Sequence, residues 1–199
     1  MRFILLKNKY FITITFFIIL EILVIIRNFT AKDYISFFWL CDSFPILFGI
    51  TFLLKKEQLI KGLINIGFIP QLISFFSLFS AVFLGINIVG FEDILNYNRF
   101  HITVSFLLHV FSVNMALLLT YKIKTKTKSL LYSFIILIVI FILTLTFTTS
   151  AENINYIYNA DFLGFTPPYY TFIWIVLTFL LIVLPTYLIQ KGLYKLTVK

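Results

Sequence analysis

The chain has 199 residues, 61% of them hydrophobic and 12% charged, with a formal net charge of +8 and a mean hydropathy of +1.03. This lies outside the range of a soluble domain. The basic excess is read as a topological signal plus attraction to anionic lipid, so no nucleic-acid partner is expected. A single cysteine, Cys41, excludes a disulfide framework within the chain.

The first apolar run, about 10 to 26, follows Arg2, Lys7 and Lys9. It is too long for a signal-peptide core and no small-residue cleavage pattern follows, so a retained first span is expected. Further apolar segments lie at about 34 to 54, 62 to 90, 100 to 121, 129 to 149 and 169 to 190. Each is long enough to cross a hydrocarbon core of roughly 30 Å at about 1.5 Å per residue. Barrel strands would alternate over about 10 residues, whereas these runs are apolar on every face. The sequence therefore predicts an all-α polytopic membrane helix bundle, a single integral membrane domain with six transmembrane helices.

The third segment is the longest and contains Pro70, which permits one kinked helix or two short ones. Two would put the run "KIKTKTK" on the outer face, against the positive-inside rule, so six spans are expected. Lys55, Lys56, Lys61, Lys122 to Lys128, Lys191, Lys195 and Lys199 then share a face with the N-terminal bases. The other face receives Arg27, Lys32 and Arg99 with Asp33, Glu92, Asp93, Glu152 and Asp161. Both termini are expected in the cytoplasm, in the cell membrane.

A carboxylate at a helix centre costs roughly 2.5–3.5 kcal/mol on insertion scales, so intramembrane ionisable groups call for a reason. Glu21, Asp42, His101 and His109 are such groups. Counting from the outer ends, Cys41, Asp42 and His109 share a level roughly 10–14 Å deep, while His101 sits near the mouth of its span. The longest loop, 150 to 170, returns to that side with Glu152, Asn153, Asn155, Tyr156 and Tyr158; loops of such length usually carry function or are disordered. The inner half holds fewer polar groups, Asn65 and Gln71 among them. Each of these residues also has a packing reading: a small thiol between helices, an imidazole bridging them, a carboxylate accepting from a neighbour. Adjacent residues on a helix point about 100° apart, so Cys41 and Asp42 are expected to face different neighbours. "NFT" at Asn28 fits a glycosylation sequon but lies close against the membrane. No phosphate loop, zinc pair, Cys-x-x-Cys or nucleophile elbow occurs, so no metal and no cofactor is expected.

The segments "WLCDSFPILFGI", "FHITVSFLLHVF" and "NINYIYNADFLGFTPPYY" together resemble the YwaF-type family of bacterial integral membrane proteins, whose animal relatives include a transmembrane lipid acyltransferase. The family's segment ending in Leu-Cys-Asp matches Cys41 and Asp42, its Phe-rich helix with one His matches His109, and its Asn-Tyr stretch before prolines matches Asn155, Tyr156, Tyr158, Pro167 and Pro168. The resemblance covers about residues 34 to 190. The family's Pro-Leu before Leu-Cys is "FFW" here, and its Gly-rich third span is replaced by "IGFIPQLISFFSLFSA". The resemblance implies a Cys and a His working on acyl chains: Cys41 as nucleophile, His109 as base, with Asn155 and Tyr156 as oxyanion donors or as cavity walls.

Two function classes follow. One is a lipid acyltransferase or acyl-ester hydrolase using Cys41 and His109, with Asp42, Asn155, Tyr156, Tyr158 and Glu21 lining the substrate site. The other is a non-enzymatic protein that binds a membrane lipid or small amphiphile in an outer-leaflet pocket. A small proton-coupled transporter using Asp42 and Glu21 is a weaker third.

Overall fold

The computed structural model describes residues 2–86, 96–160 and 166–197, with side chains from Tyr10 onward. Every regular element among them is helical: α1 (Arg2–Ala31), α2 (Leu40–Leu53), α3 (Glu57–Phe79), α4 (Arg99–Thr120), α5 (Lys128–Phe147), α6 (Tyr170–Thr178) and α7 (Leu184–Thr197). Five helices are long and apolar enough to cross a membrane: Tyr10–Ala31, Glu57–Leu84, Arg99–Thr120, Lys128–Phe147 and Tyr170–Thr197. Large apolar side chains such as Phe11, Phe76, Leu118, Leu131 and Leu181 are exposed, as a bundle solvated by lipid requires. Glu92, Asp93 and Asp161, expected on the outer face, lie outside the described residues.

α1 runs five residues beyond the expected end of the first span. Thr30 Oγ1 donates to the Ile26 and Arg27 carbonyls. The helix then closes on Lys32, which is left-handed at φ 57°. Lys32 N donates to Phe29 O at 3.2 Å and Asp33 N to Asn28 O at 3.0 Å, the paired bonds of a Schellman cap. The extra turn carries Arg27 and Asn28 into the bundle at 6% and 1% exposure. Arg27 thus belongs to the helix rather than to the loop after it, and the burial of Asn28 is incompatible with a glycan there.

The expected span 34 to 54 is divided. Tyr34–Phe38 forms a 3-10 turn, Trp39 is extended, and only the 14 residues of α2 are α-helical. α2 ends on a second Schellman cap, with Lys55 at φ 52° and Lys56 N donating to Thr51 O. The third segment is one helix: α3 passes Pro70 and ends in a π turn, Ser80–Leu84. Left-handed Gly85 then closes it through Ile86 N to Ser80 O. The last segment also contains a π turn, Phe179–Val183, which joins α6 to α7. It ends two residues before Pro185, whose ring would clash with the carbonyl four residues back in a regular helix.

α3 is the central helix, packed on α2, α4, α5 and α7, while α1 covers α2 and α4. Two glycines let it be central. A Cβ on Gly62 would meet Tyr132 Cβ at 3.0 Å and Ser129 O at 3.1 Å, and one on Gly67 would come within 2.3 Å of Phe44 Cζ. Phe17, Phe44 and Phe48 stack between α1 and α2 at 5.4–5.6 Å centroid separations. Toward the other end, Asn65 donates to Ser133 Oγ at 3.1 Å, and Gln190 to Asn65 Oδ1 at 2.6 Å and to Lys61 O at 3.1 Å. These bonds tie α3, α5 and α7 together, as polar groups do between membrane helices. Lys61, expected on a loop, is fully buried in α3.

Candidate functional site

A cavity of about 500 Å³ opens where α1 to α6 converge. The size suits a small ligand. Cys41, Asp42, His109, Asn155 and Tyr156 all line it, together with Arg27, Gln71 and His101. Residues from five stretches of the sequence thus meet at one place.

Its charged wall is a buried pair. The Arg27 guanidinium bonds Asp42 Oδ2 directly. Asn28 Nδ2 donates to the same oxygen at 2.9 Å, and Asn28 Oδ1 accepts from Arg27 Nε at 2.9 Å. Arg27 Nη1 reaches Ser105 Oγ on α4 at 3.3 Å. An ion pair out of water needs such additional bonds to offset desolvation. Asp42 was expected to face away from Cys41, and its Oδ2 does point to α1. Its Oδ1 nevertheless accepts from the Cys41 thiol at 3.8 Å, because a carboxylate offers two oxygens in opposite directions.

His109 is 5% exposed, and its Nδ1 lies 3.0 Å from Gln71 Oε1. An amide oxygen only accepts, so in this contact the imidazole donates from Nδ1. Gln71, counted from sequence with the inner half, thus belongs to this site. Its other amide atom, Nε2, is buried without a hydrogen-bond partner. An unsatisfied buried donor in a cavity wall marks a place for an acceptor. His101 stands nearer the loop, stacked on Tyr97 at 4.0 Å.

Asn155 holds the cavity's shape. Its Oδ1 accepts from Leu40 N at 2.9 Å and its Nδ2 donates to Phe38 O at 2.9 Å. One amide side chain therefore pairs the backbone groups that the break at Trp39 would leave open. Asn155 O in turn accepts from Trp174 Nε1 at 3.2 Å, and Tyr156 packs edge-on to Trp39 at 5.3 Å. The turn achieves this with left-handed Asn153, Asn155 and Tyr156, conformations that cost about 1–3 kcal/mol each outside glycine.

Glu21 and Tyr158 lie outside the cavity. Glu21 is six residues from Arg27, about 240° around α1, and accepts from Ile46 N at 3.1 Å just after Pro45. Tyr158 donates to Thr148 O at 2.8 Å, closing its own loop. No group of His, Cys, Asp and Glu among the described residues has the arrangement of a metal site.

Sequence reasoning passed over Arg27 as a partner and Gln71 as a lining residue. A signal for Arg27 was present: an outer-side base against the charge rule, beside a membrane carboxylate needing one. Compared with family models, curated proteins and solved structures, the chain has no match.

Proposed function

We propose that this chain is a multi-pass protein of the cell membrane, crossing six times with both termini cytoplasmic, whose cavity takes the carbonyl-bearing part of a membrane lipid or similar amphiphile. One observation carries the reading: a cavity of about 500 Å³ at whose wall Gln71 Nε2 is a buried donor without an acceptor. Beside it Arg27 is neutralised by Asp42, Asp33 accepts from the Ser36 hydroxyl, and Trp39, Leu137, Ile140 and Trp174 supply apolar surface. A neutral acceptor on a greasy body suits such walls better than a free ion. Cys41, the chain's single thiol, reports occupancy. In detergent, lysophosphatidylcholine is expected to slow N-ethylmaleimide alkylation of Cys41 saturably, at least fivefold, and Gln71→Leu to remove the protection. Equal alkylation rates with and without the lipid would overturn the reading.

A second reading, acyl transfer, is favoured by Cys41 and His109 lining the same cavity, and accords with the resemblance to the YwaF-type proteins. The Cys41 sulfur would attack a lipid ester carbonyl, the S–C bond forming as the C–O bond breaks. The thiol proton would pass through His109 to the departing alkoxide. Radiolabelled acyl chains of phosphatidylcholine should then become thioester-bound to the protein, and Cys41→Ala and His109→Ala should each abolish turnover. Full turnover in either variant removes this reading and leaves the binding one intact. Proton-coupled transport has less support, since two donors already hold Asp42 Oδ2.

A further inference from the structure

A second recess, of about 360 Å³, lies between α2 and α5 and is lined by side chains such as Phe38, Leu47, Leu63, Val139 and Leu143. It follows α2 from Leu40 to Thr51, about 17 Å at 1.5 Å per residue. Its hydroxyl groups are already engaged. Ser43 Oγ donates to Phe37 O at 3.3 Å, Thr51 Oγ1 donates to Leu47 O at 2.8 Å, and Thr144 Oγ1 accepts from Asn155 Nδ2 at 3.3 Å. The groove therefore presents hydrocarbon to whatever occupies it.

The groove adjoins the cavity: Leu40 and Ile140 line both and stand between them as a threshold. On one side of that threshold stands a buried donor without an acceptor, Gln71 Nε2. On the other runs an apolar trough with room for about a dozen methylenes, taking each as about the ~30 Å³ share of a water molecule. A carbonyl attached to a long hydrocarbon chain matches both halves.

We infer that the α2–α5 groove is an acyl-chain site, in which one chain of a membrane lipid lies along α2 with its carbonyl carried past Leu40 and Ile140 to Gln71. This rests on the amphiphile reading and adds the class of its tail. Thr51, Leu59 and Ile135, at the end of the groove away from Leu40, are then the residues that limit chain length.

The experiment uses the full chain in nanodiscs of dioleoyl phosphatidylcholine containing a phosphatidylglycerol whose palmitoyl chain ends in a diazirine. Cross-links are expected at Leu47 and Val139 at least fivefold above those on lipid-facing Ile18 and Ile22 of α1. Val139→Trp, at a position 48% exposed and so tolerant of a larger ring, should cut the groove cross-links at least fivefold and leave those on α1 unchanged. It should also weaken lysophosphatidylcholine protection of Cys41 by a similar factor. Uniform labelling around the bundle would mean annular lipid only and would overturn the inference. So would disulfide dimers of Val139→Cys on a Cys41→Ala background in place of groove cross-links, which assign the groove to a second copy. Protection of Cys41 that depends on Gln71 but comes without groove cross-links leaves the amphiphile reading standing and removes the acyl groove. Groove cross-links without any protection of Cys41 remove the cavity reading, and with it the carbonyl placed at Gln71.

Discussion

Asp42 shows how a carboxylate is tolerated in an apolar helix: Arg27 and Asn28 reach one oxygen and a thiol the other. Removing one member of a buried pair strands the other, at about 3–5 kcal/mol. Asp42→Ala should therefore lower thermal stability in detergent strongly, and Arg27→Met with Asp42→Leu should recover most of the loss. A double variant as unstable as the single one would show that the pair itself, not the stranded charge, is what matters. That Asp42 needed a partner is legible in the sequence, because the cost of an unpaired carboxylate depends only on residue type and depth. Which base partners it is not legible. Arg27 reaches Asp42 only because α1 continues to Ala31, and that extension depends on a cap at Lys32, a residue with no obvious turn preference.

At the scale of elements, periodicity and hydropathy locate the helices, since lipid demands long apolar segments whatever their neighbours. They do not reveal the break at Trp39, because Phe and Trp continue the apolar run through it. The break is stabilised from 115 residues away in sequence, where Asn155 Oδ1 meets Leu40 N. Asn155→Ala leaves Leu40 N and Phe38 O without those bonds, about 1–3 kcal/mol each if they stay buried. Faster alkylation of Cys41 is the expected outcome, measured by N-ethylmaleimide incorporation; an unchanged rate would deny the turn its hold on the cavity. Gly67 is the matching constraint on α3. Gly67→Ala places a methyl 2.3 Å from Phe44 Cζ and should destabilise by about 1–3 kcal/mol, as overpacking does, whereas Gly192→Ala, inside α7 with nothing within 4 Å, should stabilise by about 0.5–1 kcal/mol in the same melt.

For the whole molecule, parity decides the topology. Five crossings put the termini on opposite sides of the membrane, and a sixth through α2 returns them to the same side. Single cysteines on a Cys41→Ala background separate the cases. Lys126→Cys and Lys195→Cys should both be shielded from an impermeant maleimide added outside intact cells, and Glu152→Cys should be labelled. Lys32 and Lys56 flank α2, so labelling of Lys32→Cys with shielding of Lys56→Cys supports six crossings, whereas the same outcome at both positions would replace six crossings with five. α2 contains 14 residues, about 21 Å of helix, against roughly 30 Å of hydrocarbon. A crossing built on it is about 9 Å short, and the bilayer makes up part of such a deficit by thinning, at a fraction of a kcal/mol per Å. The dimple would form beside α2, where the groove meets the cavity, drawing headgroups down toward Leu40 and shortening the path by which a lipid leaves the leaflet.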